Sequence, residues 1–268
     1  MESSDSKSEV RHKDLVREEF TRQADEYAKA AVIRDQAHIE RFVRMIDPAA
    51  DARVLEVATG PGYIAMALAR VAREAVGVDL TEAPLQIAER NKSERGLTNV
   101  SFRVADAENL PFADGEFDVV VCRFAVHHFE NPRSVLGEMA RVCRTGGTVA
   151  VEDMVASEHL ARAEFHNRFE RLRDTSHTRA LPMSELLRML ADCGFEVERF
   201  ESLGLKNPVE KWLSASFTPP ERAKEVRGMI ERDVAEDLSG VGSTRIDGEL
   251  LFTHHAAIVV ARKLKPRA

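Results

Sequence analysis

Val54-Leu55-Glu56-Val57-Ala58-Thr59-Gly60-Pro61-Gly62-Tyr63-Ile64-Ala65 reads as a short buried strand, a glycine-rich turn and the opening of a helix. Outward from it the chain alternates the same two elements. RVLEVA is followed by a helical period over Ala65 to Ala72, EAVGVDL by one over Ala83 to Arg95, and VSFRVADA and FDVVVCRFA by one over Pro132 to Cys143; TVAVEDMV closes the series. Val-rich runs without polar alternation, each trailed by a helix, predict βαβ units around a parallel sheet buried on both faces. Gly60-x-Gly62-x-x-Ala65 satisfies the dinucleotide fingerprint, and Asp79 ends the next strand where a ribose-binding acid belongs. A nucleotide-dependent oxidoreductase is therefore one reading.

Two residues favour another. Glu56, just before the turn, would repel a pyrophosphate but suits an ammonium group, and Pro61 removes an N–H that a pyrophosphate would use. A cationic cofactor without phosphates fits better: S-adenosyl-L-methionine (SAM) has a ribose for Asp79 and an amino-acid tail for Glu56.

VLEVATGPG, GVDL, VADAENLPF, FDVVVCRFAVHHFENP and ARVCRTGGTVAVED, in this order, resemble the successive motifs of class I SAM-dependent methyltransferases, particularly the small-molecule enzymes of ubiquinone and menaquinone biosynthesis. The resemblance spans about residues 20 to 155. It implies a Rossmann-like α/β fold, a seven-stranded, mostly parallel sheet with helices on both faces and its last strand antiparallel. It further implies that Gly60 and Gly62 line the methionine end, that Asp79, with Leu80 beside it, binds the ribose, that Asp106 and Ala107 contact the adenine, and that Arg123 begins the wall beside the sulfonium. Ala58 stands where the family usually has its first glycine, a small change in a cofactor-binding position.

Composition bounds the rest. The 268 residues, 44% hydrophobic and 31% charged, suit one folded domain, and a net charge of −7 argues against nucleic acid as the partner. Cys122, Cys143 and Cys193 match neither a disulfide framework nor a zinc motif and read as buried thiols in a reducing compartment. No apolar run approaches the ~20 residues of a membrane span, and the N-terminus lacks a secretory pattern, so the cytoplasm is the expected address, with a monomer or homodimer as the expected state. Residues 1–13, polar and without periodicity, predict a disordered tail. A single methyltransferase domain is expected over 14–268: a helical cap over 14–47, a SAM-binding core over 48–155, and helical insertions over 156–182 and 205–250 that either decorate the surface or form a lid over the sheet's C-terminal edge.

Methyl transfer from a sulfonium needs alignment above all, and a base only when the acceptor must lose a proton. The resemblance puts His127 and His128 at the floor of the active site. His128 is a candidate base, or a ring that packs on the cofactor; Asp153, ending the fifth core strand, is an alternative base or a hydrogen-bond acceptor. Arg171, Arg173, Arg179 and His177 concentrate cationic groups in an acidic protein. Arg173 and His177, with His127, are candidate contacts for an anionic or polyoxygenated small-molecule acceptor, the alternative being internal ion pairs. Tyr27, on the N-terminal helix, touches the cofactor or is a core aromatic. His159, His166, His254 and His255 show no recognised ligand spacing, so no metal is assigned. A non-catalytic SAM-binding protein is the remaining alternative.

Overall fold

Parallel strands buried on both faces need a helix on each crossover, and this requirement accounts for the order of elements. In the computed structural model, which describes residues 4–265, β1 (Arg53–Val57), β2 (Glu74–Asp79), β3 (Val100–Val104), β4 (Phe117–Arg123) and β5 (Cys143–Ala156) form the parallel half of the sheet. α4 (Tyr63–Ala69), α5 (Glu82–Glu94) and α6 (Pro132–Val142) cross between them. Asn131 caps α6 by accepting the Ser134 N–H at 3.2 Å, and Pro132 occupies the first turn, where its missing N–H costs nothing.

The main strand path runs β3-β2-β1-β4-β5-β9-β7, with β7 (Phe195–Pro208) and β9 (Glu249–Lys263) added after the parallel half. β9 is antiparallel to both neighbours, Val151 pairing with Val259 on one side and Phe200 with Val259 on the other. The expected seven-stranded order is present, and two short strands extend it to nine among the described residues: β6 (Leu181–Pro182) on β5 and β8 (Thr244–Ile246) on β9. One apolar layer, including Leu55, Val120, Leu136 and Met139, fills one face, and a second, including Phe42, Val54, Met66 and Ile258, fills the other.

α1 (Ser4–Lys29), α2 (Ala31–Arg34) and α3 (Gln36–Ile46) form the N-terminal cap. Asp35 caps α3 by accepting the His38 N–H at 2.8 Å, and Ile39, Phe42 and Ile46 bury one stripe of that helix. The disordered tail expected over 1–13 is corrected here. The helix begins at Ser4; residues 1–3 lie outside the described residues. Polar groups dock the helix at its third turn: Lys13 Nζ donates to Asp106 Oδ2 and Glu108 Oε2, each at 3.0 Å, and His12 Nε2 bonds the His128 carbonyl at 2.8 Å.

The late segments supply α7 (Leu160–Arg173), α8 (Met183–Asp192), α9 (Val209–Ala215) and α10 (Pro220–Glu236). Phe169, Trp212, Ile230 and Phe252 unite α7, α9, α10 and β9 in a third apolar cluster. Among the described residues no helix is long and apolar enough to cross a membrane.

Candidate active site

The strand order reverses between β1 and β4, and there the C-terminal strand ends open into the crevice where open α/β sheets bind ligands. Two clefts meet at this edge. The first spans about 800 Å³, part of it open to solvent, and is lined by Gly60, Asp79, Leu80, Asp106 and Ala107 from the sheet side and by α1 above them. The second spans about 790 Å³, likewise partly open, and is lined by His127, Arg173, Asn207, Trp212 and His254. Phe20, Tyr27, Phe124 and His128 wall both clefts.

The glycine turn is held by two carboxylates. Asp79 Oδ2 accepts the Gly60 N–H at 2.9 Å and its Oδ1 accepts the Thr81 N–H at 2.9 Å; burial raises its pKa against these bonds. Glu56, 3% exposed, accepts the Thr59 hydroxyl and the Ala65 N–H, the latter at 2.8 Å, and so ties β1 to the first turn of α4. Burial pushes the Glu56 carboxyl up to about 8. It lines a small side cleft with Arg123, Tyr27 and Gly60.

Ala58 adopts φ +56°, which explains why glycine suits that position, and Gly60 adopts φ +51°. A Cβ on Gly60 would meet only Tyr27 Cε1 at 3.6 Å, so the cradle beside the cleft is open there. Gly62 is different. It was expected at the methionine end, but it lines neither large cleft; a Cβ there would lie 2.6 Å from Phe102 Cζ and 2.9 Å from Ala88 Cβ. Its bareness serves the packing of α4 against α5 and β3.

Arg123, expected to begin the wall beside the sulfonium, lines the small side cleft rather than either large one. It is 6% exposed, with Nε donating to Glu152 Oε2 at 2.9 Å and Nη1 to the Ile33 carbonyl at 3.3 Å, and Glu152 also bonds His38. This buried set fastens the N-terminal cap to β4 and β5. Tyr27 borders all three clefts, and burial raises its phenol pKa.

The two adjacent histidines have opposite electrostatics. His127 Nδ1 donates to Asp153 Oδ1 at 2.5 Å, and the His127 N–H donates to Asp153 Oδ2 at 3.2 Å. Burial pulls the His127 pKa down, but the Asp153 carboxylate outweighs it and the net shift is upward. His128 Nδ1 donates to the Ser176 carbonyl at 3.1 Å; burial, and then the charge of His127, lower its pKa to about 4. A carbonyl only accepts, so the proton sits on Nδ1 and Nε2 keeps its lone pair. Asp153, expected to act directly, is 2% exposed and lines neither large cleft; it stands behind His127.

The expected cationic wall dissolves into internal pairs. Arg179 donates to both Glu185 oxygens at 2.8 and 2.6 Å, and Arg171 to Glu164 at 3.2 Å and to the Thr178 carbonyl. His177, 4% exposed, lines neither large cleft: its Nε2 bonds Asn167 Oδ1 at 2.9 Å and its ring lies 5.5 Å from that of His127. Arg173 alone of this group borders the second cleft, its guanidinium 5.1 Å from the Trp212 ring centroid. The fold gathers His166 and Glu170 of α7 with His254 of β9, residues that show no ligand spacing in the sequence.

The first cleft suits SAM in the chemistry of its lining, with carboxylates at two strand ends and an open glycine cradle. Its mouth is crossed by Lys13, whose ammonium bridges Asp106 and Glu108.

Residues 48–212 match the family described as a methyltransferase domain. The uncharacterized methyltransferase YcgJ of Bacillus subtilis is 31% identical over 207 residues, covering 77% of this chain and 82% of that protein. The crystal structure of YcgJ superposes with a TM-score of 0.81 at 29% identity, over 85% of this chain and 98% of the other. A ubiquinone biosynthesis O-methyltransferase of Methylococcus capsulatus is 31% identical over 175 residues, covering 63% of this chain and 73% of its own length. The chain belongs to the methyltransferase domain family, and it is an S-adenosyl-L-methionine-dependent methyltransferase.

Proposed function

We propose that the chain methylates a small-molecule acceptor held in the second cleft, with His127, oriented by Asp153, taking the acceptor's proton. The observation that carries this reading is the shared wall of Phe20, Tyr27, Phe124 and His128, across which the two clefts meet. Asp79, Leu80, Asp106 and Ala107 hold the adenosyl part in the first cleft, and Gly60 lets the backbone approach the amino-acid end. SAM supplies a methyl group already activated on a sulfonium. The protein's own task is alignment, which is worth roughly 7–11 kcal/mol when geometry is near attack.

The proton is handled by a pair of groups. His127 keeps its Nδ1 proton on Asp153, leaving the Nε2 lone pair as acceptor, and its raised pKa makes it the stronger base of the two histidines. His128, neutral down to about pH 4, offers its own Nε2 lone pair to position an acceptor hydroxyl. The direct roles expected for His128 and Asp153 therefore move to His127, with Asp153 as its positioning residue. α1 and α9 cover the clefts, so the late segments act as a lid shared with the N-terminal helix.

Aromatic Phe20 and Trp212 beside Arg173, Asn207 and Gln23 suit a flat acceptor bearing oxygen substituents. The relatives named for ubiquinone O-methylation and demethylmenaquinone methylation agree with that class. The test is incubation with methyl-tritiated SAM and a cell extract divided by size. Label appearing in the small-molecule fraction is expected, and label confined to protein or nucleic acid would overturn the reading.

A further inference from the structure

α7 carries His166 and Glu170 one turn apart, on one face of the helix. β9 brings His254 against them, and ligand-capable atoms of the three lie within 4.8 Å of one another. The exposures are 0%, 1% and 7%. Glu170 Oε1 accepts the His254 Nε2 proton at 2.6 Å and stands 3.4 Å from His166 Nε2. Among the described residues neither ring nitrogen of His166 has a hydrogen-bond partner. A buried polar atom left unpaired costs about 1–3 kcal/mol, a cost that an apolar side chain of similar shape would avoid. The methyl-transfer site described above uses none of the three residues in its proton handling.

We propose that His166, Glu170 and His254 bind a divalent transition-metal ion of the Zn²⁺ or Co²⁺ type, reached from the second cleft, whose wall includes His254. Two imidazoles and one carboxylate match the three-ligand zinc sites that keep a position open. Mg²⁺ and Ca²⁺, which prefer an all-oxygen shell, match this set poorly. The distances agree. Ligands about 2.0–2.1 Å from a tetrahedral ion stand about 3.3 Å apart, close to the present 3.4 Å between His166 and Glu170. The His254 to Glu170 contact of 2.6 Å is a hydrogen bond and must open by less than 1 Å as the ion replaces the shared proton. The ring proton of His254 then moves from Nε2 to Nδ1, where Asn207 Nδ2 lies at 3.1 Å; the Asn207 carboxamide turns to present Oδ1 as the acceptor and gives up its 2.8 Å bond to the Leu205 carbonyl. Asn207 is thus the positioning residue of the site.

The test uses the full chain, stripped with chelator and titrated with ZnCl₂ by calorimetry and with CoCl₂ by visible absorption. One equivalent of Zn²⁺ is expected, together with the d–d bands of nitrogen- and oxygen-ligated cobalt. Glu170→Gln, which keeps size and removes charge, should weaken Zn²⁺ binding by more than about 100-fold, beyond the 10–100-fold scale of outer-shell losses. His254→Asn should act likewise, and far-ultraviolet circular dichroism and binding of S-adenosylhomocysteine report whether each variant is folded. Asn207→Leu should weaken binding by about 10–100-fold while leaving the cobalt bands present at saturation. Absence of stoichiometric binding to the wild-type chain would overturn the proposal, as would equal affinity in folded Glu170→Gln and His254→Asn, which would place the ion on surface histidines.

Discussion

Asp153→Asn isolates the proton-handling pair. The substitution keeps the shape of a residue that is 2% exposed and removes only its charge. In the wild-type chain Asp153 Oδ1 accepts from His127 Nδ1 at 2.5 Å and from the Met154 N–H at 2.6 Å, and its Oδ2 accepts the His127 N–H at 3.2 Å. A hydrogen bond between charged partners is worth about 1.5–3 kcal/mol. Its loss lowers the His127 pKa, since the Asp153 charge is what raises it. The amide also presents an N–H to the ring, favouring the tautomer with the proton on Nε2, where the acceptor's proton should go. Turnover should then fall by about 10²-fold or more, the lower end of what a general base supplies, while the affinity for S-adenosylhomocysteine stays within about twofold. Initial rates of tritiated-methyl transfer across pH test this, because the alkaline rise of the wild-type profile, which tracks deprotonation of His127, should move to lower pH in the variant. Stability gives a second readout. A histidine whose folded pKa lies above its unfolded value stabilises fully below the unfolded pKa, about 6.5, and loses that contribution as pH rises through the folded one. The melting-temperature gap between wild type and Asp153→Asn should therefore be widest below about pH 6.5 and narrow above it. Unchanged turnover and pH profile in the folded variant would refute the dyad.

Asp79→Asn should weaken binding of S-adenosylhomocysteine by about 1.5–3 kcal/mol, the scale of a hydrogen bond to a charged group, as titration calorimetry would measure; unaltered affinity would remove the ribose role. The glycine turn should separate its two functions. Gly62→Ala should lower stability by about 1–3 kcal/mol through overpacking against Phe102 and Ala88, and Gly60→Ala by only about 1 kcal/mol of left-handed strain but with weaker cofactor binding; denaturant titration with and without S-adenosylhomocysteine distinguishes them. Arg173→Met should raise the acceptor KM with little change in cofactor affinity, whereas Arg179→Ala, which breaks an exposed pair with Glu185, should leave both unchanged; steady-state kinetics on both variants is the check.

The core was legible because its signals are local. Val-rich runs such as Val119-Val120-Val121 could only be strands buried on both faces, and Asp79 and Asp106 fell at consecutive strand ends beside the glycine turn. What escaped depends on distant partners. The N-terminal helix has no apolar stripe in sequence to announce its start, and Lys13 within it is held by Asp106 and Glu108, residues more than ninety positions away. Gly62 looked like a cofactor glycine because the ring it must admit, Phe102, arrives from β3. His127 and His128 are neighbours in sequence, yet one faces a carboxylate and the other a carbonyl, and this difference assigns their chemistry. His254 lies 84 positions from Glu170, so no ligand spacing could connect them.

The central claim is that cofactor and acceptor occupy two clefts that meet at Tyr27 and His128. A crystal structure of the chain with S-adenosylhomocysteine tests it most directly. The account predicts the ribose on Asp79, the adenine beside Asp106 and Ala107, and the sulfur directed at the shared wall toward His127. A sulfur buried toward Glu56 with no path to the second cleft, or the ligand bound outside the first cleft, would contradict it.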